Sequence, residues 1–284
     1  MIPAAFDYVA PTTLEEALAA LGDGEDVKVL AGGQSLLPVL RLRLNAPEKV
    51  VDLGRIDALR GITDDGDAII LGAMTAYCDI VGNPLVSEHA ALLDSAVATI
   101  ADPQIRHRGT IGGSAVHADP AGDIAAPLLA LGAQFVIAGT GGTRTVAAAD
   151  FFEGLFTTAV GEDEILTAIR VPKHTGWGGH YEKFVRTAQQ WSIVAVAATV
   201  RVENGAIAQA KIGLTNMGAT PVCAAGVEAA LSGVSASDGT AIVAACASAG
   251  DGTNPPSDLN GDADYRRHLA GVLTGRAVTA AVGG

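Results

Sequence analysis

Two glycine pairs constrain the fold of this chain more than any other feature of its 284 residues. The first lies between Ala31 and Ser35, where an apolar run ends and a helical pattern begins, and the second lies between Thr110 and Ser114. Adjacent glycines lack a Cβ atom, so their backbone N–H groups can turn inward and approach an anion closely. Hydroxyl side chains beside each pair add donors. The two loops therefore predict a site for the two phosphates of a dinucleotide, with ordinary turns as the alternative.

The common nucleotide-binding signatures are absent from the sequence. No G-x-G-x-x-G follows a strand pattern, which argues against a Rossmann site. No G-x-x-x-x-G-K-[ST] is present either, which argues against a P-loop NTPase.

The composition allows a large buried core and argues against nucleic acid as a partner. Apolar residues make up 49% of the chain and charged residues 17%, and the length suits about two domains of roughly 150 residues. The net charge of −13 has no lysine- or arginine-rich run to offset it. Such a surface would repel a phosphate backbone.

The cysteines and the apolar runs indicate a cytoplasmic protein. The sequence shows neither a signal peptide nor an apolar stretch of about 18 residues, so no membrane span is expected. Cys78, Cys223 and Cys246 are far apart and lack C-x-x-C spacing, which indicates reduced thiols. A common iron–sulfur cluster needs about four cysteine ligands, so this chain alone cannot hold one.

The periodicity predicts an α+β chain in three parts, residues 1–56, 57–172 and 180–284. In the first, a capping box at Thr12 or Thr13 begins a helix to Leu21, and strands at Val27–Leu30 and Val50–Leu53 flank a helix at Leu36–Leu44.

The second part should contain a strand at Ala68–Leu71, a helix capped by Thr75 and a longer helix from Ser87 toward Ile100. A run of small and polar residues then leads to Asp123. After it we expect a helix at Ile124–Leu131 with Gly132 as its stop signal, a hairpin at 135–146 and a strand at Ile165–Val171, closed by Pro172.

The third part differs in the order of its elements, with strands first and helices after them. Three strands are predicted at Tyr181–Arg186, Ile193–Val202 and Ile207–Leu214, with Asn204-Gly205 as a hairpin turn between the last two. Two or three alanine-rich helices follow, the last at Tyr265–Val278. Strands followed by helices indicate a separate small α+β domain with a three-stranded antiparallel sheet, after a glycine-rich linker at 172–179.

These motifs together resemble a known family. The run from Ala31 to Pro38, with Arg41 to Leu44 after it, is similar to the first flavin loop of the FAD subunits of molybdenum hydroxylases. The run from Arg108 to Ser114, with His117 to Pro120 and then Asp123, resembles their second. The likeness is strongest to the medium subunit type of aerobic carbon monoxide dehydrogenase and weaker to xanthine dehydrogenase.

The resemblance implies a two-part FAD-binding fold of the vanillyl-alcohol-oxidase (PCMH) type, followed by the small domain. It implies that both loops bracket the pyrophosphate, that Asp123 bonds the sugar or ribityl region, and that Lys183 lies near the flavin ring. It also places apolar contacts at Ile165 or Leu166 and an aromatic ring at Trp191 beside the flavin. The implied cofactor-binding residues are Ala31, Gly32, Gly33, Gln34, Ser35, Leu36, Thr110, Ile111, Gly112, Gly113, Ser114, Asp119, Asp123, Ile165, Leu166, Lys183 and Trp191.

Several of these residues have simpler interpretations. Asp123 could cap the helix that begins at Ile124, Lys183 could be a solvated charge on an edge strand, and Trp191 could pack in the core or at an interface. His117 and Asp119 lack a third metal ligand at useful spacing, so no metal is expected on this chain.

The resemblance implies an electron-transfer role without catalytic residues on this chain. A large molybdenum-binding subunit would oxidise the substrate, and a small subunit with 2Fe-2S clusters would pass electrons to FAD here, in a dimer of heterotrimers. A quinone or another terminal acceptor would take them, in the cytoplasm or peripherally at the inner face of the membrane. Carbon monoxide is the favoured substrate, with an N-heterocycle, purine or aldehyde left open. Two other classes also remain open: a stand-alone flavin oxidase and a phosphate- or nucleotide-binding module without flavin.

Overall fold

A computed structural model describes residues 2–283 of the chain. Its fourteen strands form three main sheets and one short hairpin. The strands are β1 (Asp7–Val9), β2 (Val27–Leu30), β3 (Lys49–Asp52), β4 (Ile62–Asp64), β5 (Ala68–Gly72), β6 (Gln134–Gly139), β7 (Gly142–Ala147), β8 (Phe152–Gly154), β9 (Thr157–Thr158), β10 (Ile165–Pro172), β11 (Gly178–Phe184), β12 (Val194–Glu203), β13 (Ala206–Thr215) and β14 (Val222–Cys223).

Twelve α-helices are distributed among these strands in the described part of the chain. They are α1 (Leu14–Leu21), α2 (Leu36–Arg41), α3 (Tyr77–Ile80), α4 (Pro84–His89), α5 (Ala91–Ala98), α6 (Pro103–Arg106), α7 (Ile111–His117), α8 (Ala125–Ala130), α9 (Ala148–Phe151), α10 (Ala225–Leu231), α11 (Gly239–Cys246) and α12 (Ala263–Val282). Within residues 2–283, no helix is both long enough and apolar enough to cross a bilayer.

The N-terminal sheet is parallel, in the order β1-β3-β2. Helix α1 begins with the predicted capping box, in which the Thr13 hydroxyl accepts from the N–H of Glu16 and the Glu16 carboxylate accepts from the N–H of Thr13. Helix α2 ends at Arg41, earlier than predicted, and Arg43 follows with φ +56°. The short strand β1 was not predicted, because three exposed residues carry no burial pattern.

The middle sheet is antiparallel, in the order β4-β5-β10-β6-β7. The strand at 165–172 and the hairpin at 134–147 match the predictions, and Gly132 follows α8 with φ +62°. The predicted Thr75 cap is wrong, because the Thr75 hydroxyl bonds the backbone of Gly61, while α3 begins after Ala76 without a side-chain cap.

Two further helix predictions in this region differ from the structure. The single helix predicted from Ser87 is two helices, α4 and α5, separated at Ala90, whose φ and ψ of −148° and 52° are not helical. The segment after Thr110, for which we predicted only a run of small and polar residues, begins with helix α7. Two glycines in the first turn of α7 lower its intrinsic helix propensity, so the residue types alone did not predict this helix.

The C-terminal sheet is antiparallel, in the order β11-β12-β13-β14. Its first three strands match the prediction, and the two-residue β14 adds a fourth. Asn204 and Gly205 both have positive φ, as a tight hairpin turn between β12 and β13 requires. Helices α10, α11 and α12 follow, and α12 packs on β11 and β12.

The middle and C-terminal sheets share one hydrophobic core. Tyr181, Ala195 and Ala197 of the C-terminal sheet pack in the same buried cluster as Phe135 and Leu166 of the middle sheet. The segment at 173–177 that joins the sheets is anchored, since the His174 N–H donates to the His89 carbonyl at 2.7 Å. The N-terminal sheet has its own smaller cluster, which includes Ile165 from β10.

Gly213 in β13 offers a test of how closely helix α8 packs on the C-terminal sheet. A Cβ atom there would lie 2.4 Å from the carbonyl oxygen of Ala126 in α8. We expect Gly213→Ala to lower the free energy of unfolding by about 2 kcal/mol, because backbone must move to admit the methyl group. Urea unfolding measures this. Gly226→Ala in α10 is the matched control, since nothing lies within 4 Å of its Cβ position, and it should leave stability unchanged or slightly raised.

Candidate functional site

The first glycine loop leaves its backbone donors free. Gly33 has φ +75°, and the Gln34 side chain donates to the Gly32 carbonyl at 3.2 Å. Among residues 2–283, the backbone N–H groups of Gly32, Gly33, Gln34 and Ser35 have no protein acceptor. Half-buried backbone donors without a partner are costly unless water or a ligand accepts from them. This run of N–H groups can therefore receive an anion.

The second glycine pair has a different local role from the one expected. The pair lies in the first turn of α7, where the Thr110 hydroxyl accepts from the Gly113 N–H at 3.2 Å and the Ala73 carbonyl accepts from the Gly112 N–H at 2.9 Å. Both donors are thus already used within the protein. A Cβ on Gly112 would lie 2.5 Å from the Ala73 side chain. Gly112 therefore allows close packing and is not a free anion donor.

The structure brings the two glycine loops into direct contact. A Cβ on Gly32 would lie 2.2 Å from the Arg108 carbonyl oxygen and 2.8 Å from the Gly109 α-carbon. A Cβ on Gly113 would lie 3.0 Å from the Ala31 side chain. The loops thus form one continuous wall, in which glycine is needed because backbone meets backbone.

Tyr77 packs against this wall. Its N–H donates to the Gly109 carbonyl at 3.0 Å, and its ring lies 2.9 Å from where a Gly109 Cβ would be. Burial raises the pKa of the Tyr77 hydroxyl; the Ser114 side chain lowers it in part and the charge of Asp123 raises it further. The ring therefore lies close to Ser114 and within the electrostatic reach of Asp123.

Asp123 is the centre of a buried polar cluster. It is 7% exposed, and its Oδ2 accepts from Lys183 Nζ at 2.6 Å. Its Oδ1 accepts from the Tyr181 hydroxyl at 2.9 Å and from the Ser192 hydroxyl at 2.6 Å. A buried carboxylate needs such partners to remain charged. The interpretation of Asp123 as a helix cap is not what the structure shows, because α8 begins at Ala125 without a side-chain cap.

Lys183 is not a solvated edge charge. Its side chain is only 10% exposed and pairs with Asp123. Together with Thr99, it lines an open cavity of about 400 Å³ at the β11 edge. The other lining residues are His180, Tyr181, Glu182, Val185, Ala188, Gln189 and Gln190.

Trp191 lies at the end of the loop that borders this cavity, and its side chain is 54% exposed. Both of its chain neighbours are fixed. The Gln190 carboxamide accepts from the Arg186 N–H at 3.0 Å, and the Ser192 hydroxyl bonds Asp123. Trp191 is therefore an exposed aromatic on an anchored segment, which excludes core packing and leaves interface packing as the alternative to a place beside the flavin.

The remaining predicted residues lie at varying depth. Ile165 and Leu166 are 2% and 4% exposed, and their side chains lie in two hydrophobic clusters, so neither side chain is open to a ligand. Asp119 is half-buried and its carboxylate accepts from the Ala121 N–H at 2.9 Å. Leu36 begins α2 and Ile111 begins α7.

Sequence reasoning missed Tyr181 and Ser192 as members of the cluster. Tyr181 is two residues from Lys183 on a strand, so alternation alone places both side chains on one face. That signal was present in the sequence. Nothing in the sequence near Ser192 indicates its role, because its hydroxyl reaches Asp123 only when the loop before β12 folds against it.

The described residues hold no metal-like cluster. No group of three His, Cys, Asp or Glu side chains converges within residues 2–283. His117 instead packs beside Phe156, with ring centroids 5.2 Å apart, and burial lowers its pKa despite the nearby Asp119. The three cysteines are unpaired.

The residues present fit a flavin dinucleotide. The free N–H groups of 32–35 can accept a pyrophosphate, the glycines bring the second loop directly beside these donors, and the buried cation of Lys183 lies at the edge of a cavity. These three features agree with the chemistry of a long molecule that is anionic in the middle and has a flat aromatic ring at one end.

Comparison with known proteins gives the family. Residues 4–174 match the family model described as the FAD binding domain in molybdopterin dehydrogenase, and residues 179–281 match the CO dehydrogenase flavoprotein C-terminal domain. The carbon monoxide dehydrogenase medium chain of Hydrogenophaga pseudoflava is 41% identical over 285 residues, which cover 99% of this chain and 98% of the relative.

Two solved structures have the same fold. Carbon monoxide dehydrogenase from Hydrogenophaga pseudoflava, in a form lacking the Mo-pyranopterin moiety, has a chain with a TM-score of 0.94 at 43% identity, covering 99% of this chain and 98% of that one. Quinoline 2-oxidoreductase from Pseudomonas putida 86 also gives 0.94, at 32% identity, with 100% and 99% covered. This chain therefore belongs to the FAD-binding oxidoreductase subunits of the molybdopterin dehydrogenase family, with a C-terminal domain of the CO dehydrogenase flavoprotein type.

Proposed function

We propose that this chain is the FAD-binding, electron-transferring medium subunit of an aerobic molybdenum-containing carbon monoxide dehydrogenase. The observation that carries the proposal is full-length likeness to a carbon monoxide dehydrogenase medium chain, at 41% identity. That likeness extends over 99% of this chain and through both matched domains. When bound, FAD supplies the ability to exchange electrons singly or in pairs.

The roles of the chain's own residues follow from their geometry. The backbone donors of 32–35 would bind the pyrophosphate, and the contact of Gly32 with Gly109 would hold the two loops in register. Lys183 would place a positive charge near the flavin ring, where a cation favours added electrons. Trp191 would cover the exposed side of the ring. We also propose that the chain divides into two FAD-binding parts, residues 1–56 and 57–172, and a C-terminal domain, residues 180–284.

The substrate chemistry would take place on another subunit. Asp123 accepts from three donors, so it has little capacity left to act as a general base. A large molybdenum-binding subunit would oxidise the substrate, and a small subunit with 2Fe-2S clusters would relay electrons to this chain, in a dimer of heterotrimers. A quinone or another acceptor would receive them. The unpaired cysteines support a cytoplasmic complex, peripheral to the membrane if the acceptor is a quinone.

A second candidate is the flavoprotein subunit of an N-heterocycle hydroxylase. The quinoline 2-oxidoreductase chain has the same fold with a TM-score of 0.94, so the fold alone does not select carbon monoxide. Its lower identity, 32% against 43% for the carbon monoxide dehydrogenase structure, makes it the less favoured candidate.

An affinity pull-down of the tagged full chain from its native cells tests the proposal. We expect two further chains, molybdenum, iron–sulfur absorbance and FAD, and we expect carbon monoxide to bleach the visible spectrum of the purified complex. Quinoline-type substrates should have no such effect. A strain carrying the tag alone is the control. Bleaching by an N-heterocycle but not by carbon monoxide would favour the second candidate, and a lone chain that oxidises a substrate would contradict both.

A further inference from the structure

The two oxygens of Asp123 have different partners. Oδ2 pairs with Lys183, whereas Oδ1 accepts from two neutral hydroxyls, those of Tyr181 and Ser192. The ion pair supplies the counter-charge, and the two hydroxyls supply the further hydrogen bonds that a buried carboxylate needs. Because both hydroxyls come from fixed side chains, they also set the direction of the carboxylate.

Both hydroxyls are held firmly. Tyr181 is 3% exposed and Ser192 is 1% exposed. The Tyr181 hydroxyl also lies 3.1 Å from the Thr215 hydroxyl, and the Ser192 carbonyl accepts from the Asn216 side-chain amide at 2.8 Å. Burial and the charge of Asp123 raise the pKa of Tyr181 well above its ordinary value, so its proton stays available to the carboxylate near neutral pH.

The donors to Oδ1 have an electrostatic consequence for Lys183. A hydrogen bond to one carboxylate oxygen withdraws negative charge from the group, and in a buried site that change is weakly screened. It also prevents the carboxylate from rotating to offer Oδ1 to the ammonium. Lys183 is thus less fully neutralised than it would be beside a free carboxylate, and more of its positive potential reaches the cavity that it lines.

We propose that Tyr181 and Ser192 are positioning residues, which hold Asp123 so that Lys183 presents its positive charge to the flavin ring. The inference depends on the proposed function, because it assigns the cavity beside Lys183 to the ring. It adds to that function two residues behind the ion pair, Tyr181 on β11 and Ser192 on the loop before β12, that set the charge next to the cofactor.

The test uses the purified full chain with Tyr181→Phe and Ser192→Ala. Each removes one hydroxyl and keeps most of the packing. Fluorescence titration should show a rise of about tenfold in the FAD dissociation constant for each variant, the size expected when a charged group loses one hydrogen bond. The midpoint potential of the bound flavin should fall, because Lys183 becomes more fully neutralised. Tyr265→Phe is the control, since it removes a tyrosine hydroxyl from the half-exposed side of α12.

A second set of variants distinguishes positioning from general stabilisation. In a Lys183→Met background, Tyr181→Phe should no longer change the potential and should change the dissociation constant by less than twofold, because the hydroxyl acts through Lys183. Coupling of this kind is what a double-mutant cycle measures. If Tyr181→Phe does not fold, Ser192→Ala decides the question alone.

The outcomes separate the inference from the proposed function. Normal FAD uptake by the wild-type chain, with an unchanged dissociation constant and potential in both variants, would overturn the inference only. The same losses with and without Lys183 would also overturn it, since a merely structural role predicts them. A wild-type chain that takes up no FAD would overturn the proposed function and this inference together.

Discussion

Gly32→Ala should abolish the retention of FAD. Its new methyl group would lie 2.2 Å from the Arg108 carbonyl oxygen, so the two glycine loops must separate. Forcing backbone apart in a packed region costs about 3 kcal/mol, which corresponds to a rise of roughly a hundredfold in the FAD dissociation constant. Purified Gly32→Ala should therefore be nearly colourless, and titration with added FAD measures the remaining affinity.

Two further variants show whether this loss is local. Gly33→Ala places a side chain at φ +75°, so it strains the same loop without pushing on Arg108, and it should weaken FAD less. Gly226→Ala, in open space on α10, should retain FAD as the wild type does. Full FAD on Gly32→Ala with normal affinity would show that the glycine wall is not the pyrophosphate site.

Asp123→Ala should be the most destabilising substitution in the cluster. It leaves Lys183 buried without a counter-charge and removes the acceptor of the Tyr181 and Ser192 hydroxyls. Breaking one partner of a buried ion pair costs about 3 to 5 kcal/mol. Urea unfolding of the FAD-free chain should therefore show a fall of that size, independently of any effect on the cofactor.

The double variant Asp123→Ala with Lys183→Met is the decisive control. Removing both charges eliminates the uncompensated ammonium, so most of the lost stability should return. If the double variant is as unstable as Asp123→Ala alone, the destabilisation comes from lost packing and hydroxyl partners and not from the buried charge.

Local signals in the sequence predicted much of the fold. The Thr13 capping box, the Asn204-Gly205 turn and the first three strands of the C-terminal sheet are decided by neighbouring residues, and the structure has them as expected. The family resemblance predicted the FAD-binding fold, which the family match confirms. The failures occur where tertiary contacts decide. Ala90 interrupts a continuous helical pattern, and Gly112 and Gly113 lie inside a helix that their residue type disfavours.

The candidate site shows the same division between local and tertiary information. The two glycine loops were predicted from their residues, and the family resemblance implied that Asp123 and Lys183 belong to the same site. The structure brings the loops into contact and pairs the two charges. The sequence could not indicate that the second loop uses its own N–H groups internally, since the acceptor at Ala73 is distant in sequence. Nor could it connect Ser192 to Asp123, because that contact depends on how the loop before β12 folds back.

Acid extraction of the cofactor from the purified wild-type chain, with its visible spectrum, tests the central claim most directly. A yellow protein that releases close to one FAD per chain, and that loses it on Gly32→Ala but not on Gly226→Ala, is the predicted result. A colourless chain that takes up no added FAD would contradict the account, because the glycine wall and the Lys183 cavity would then serve some other ligand.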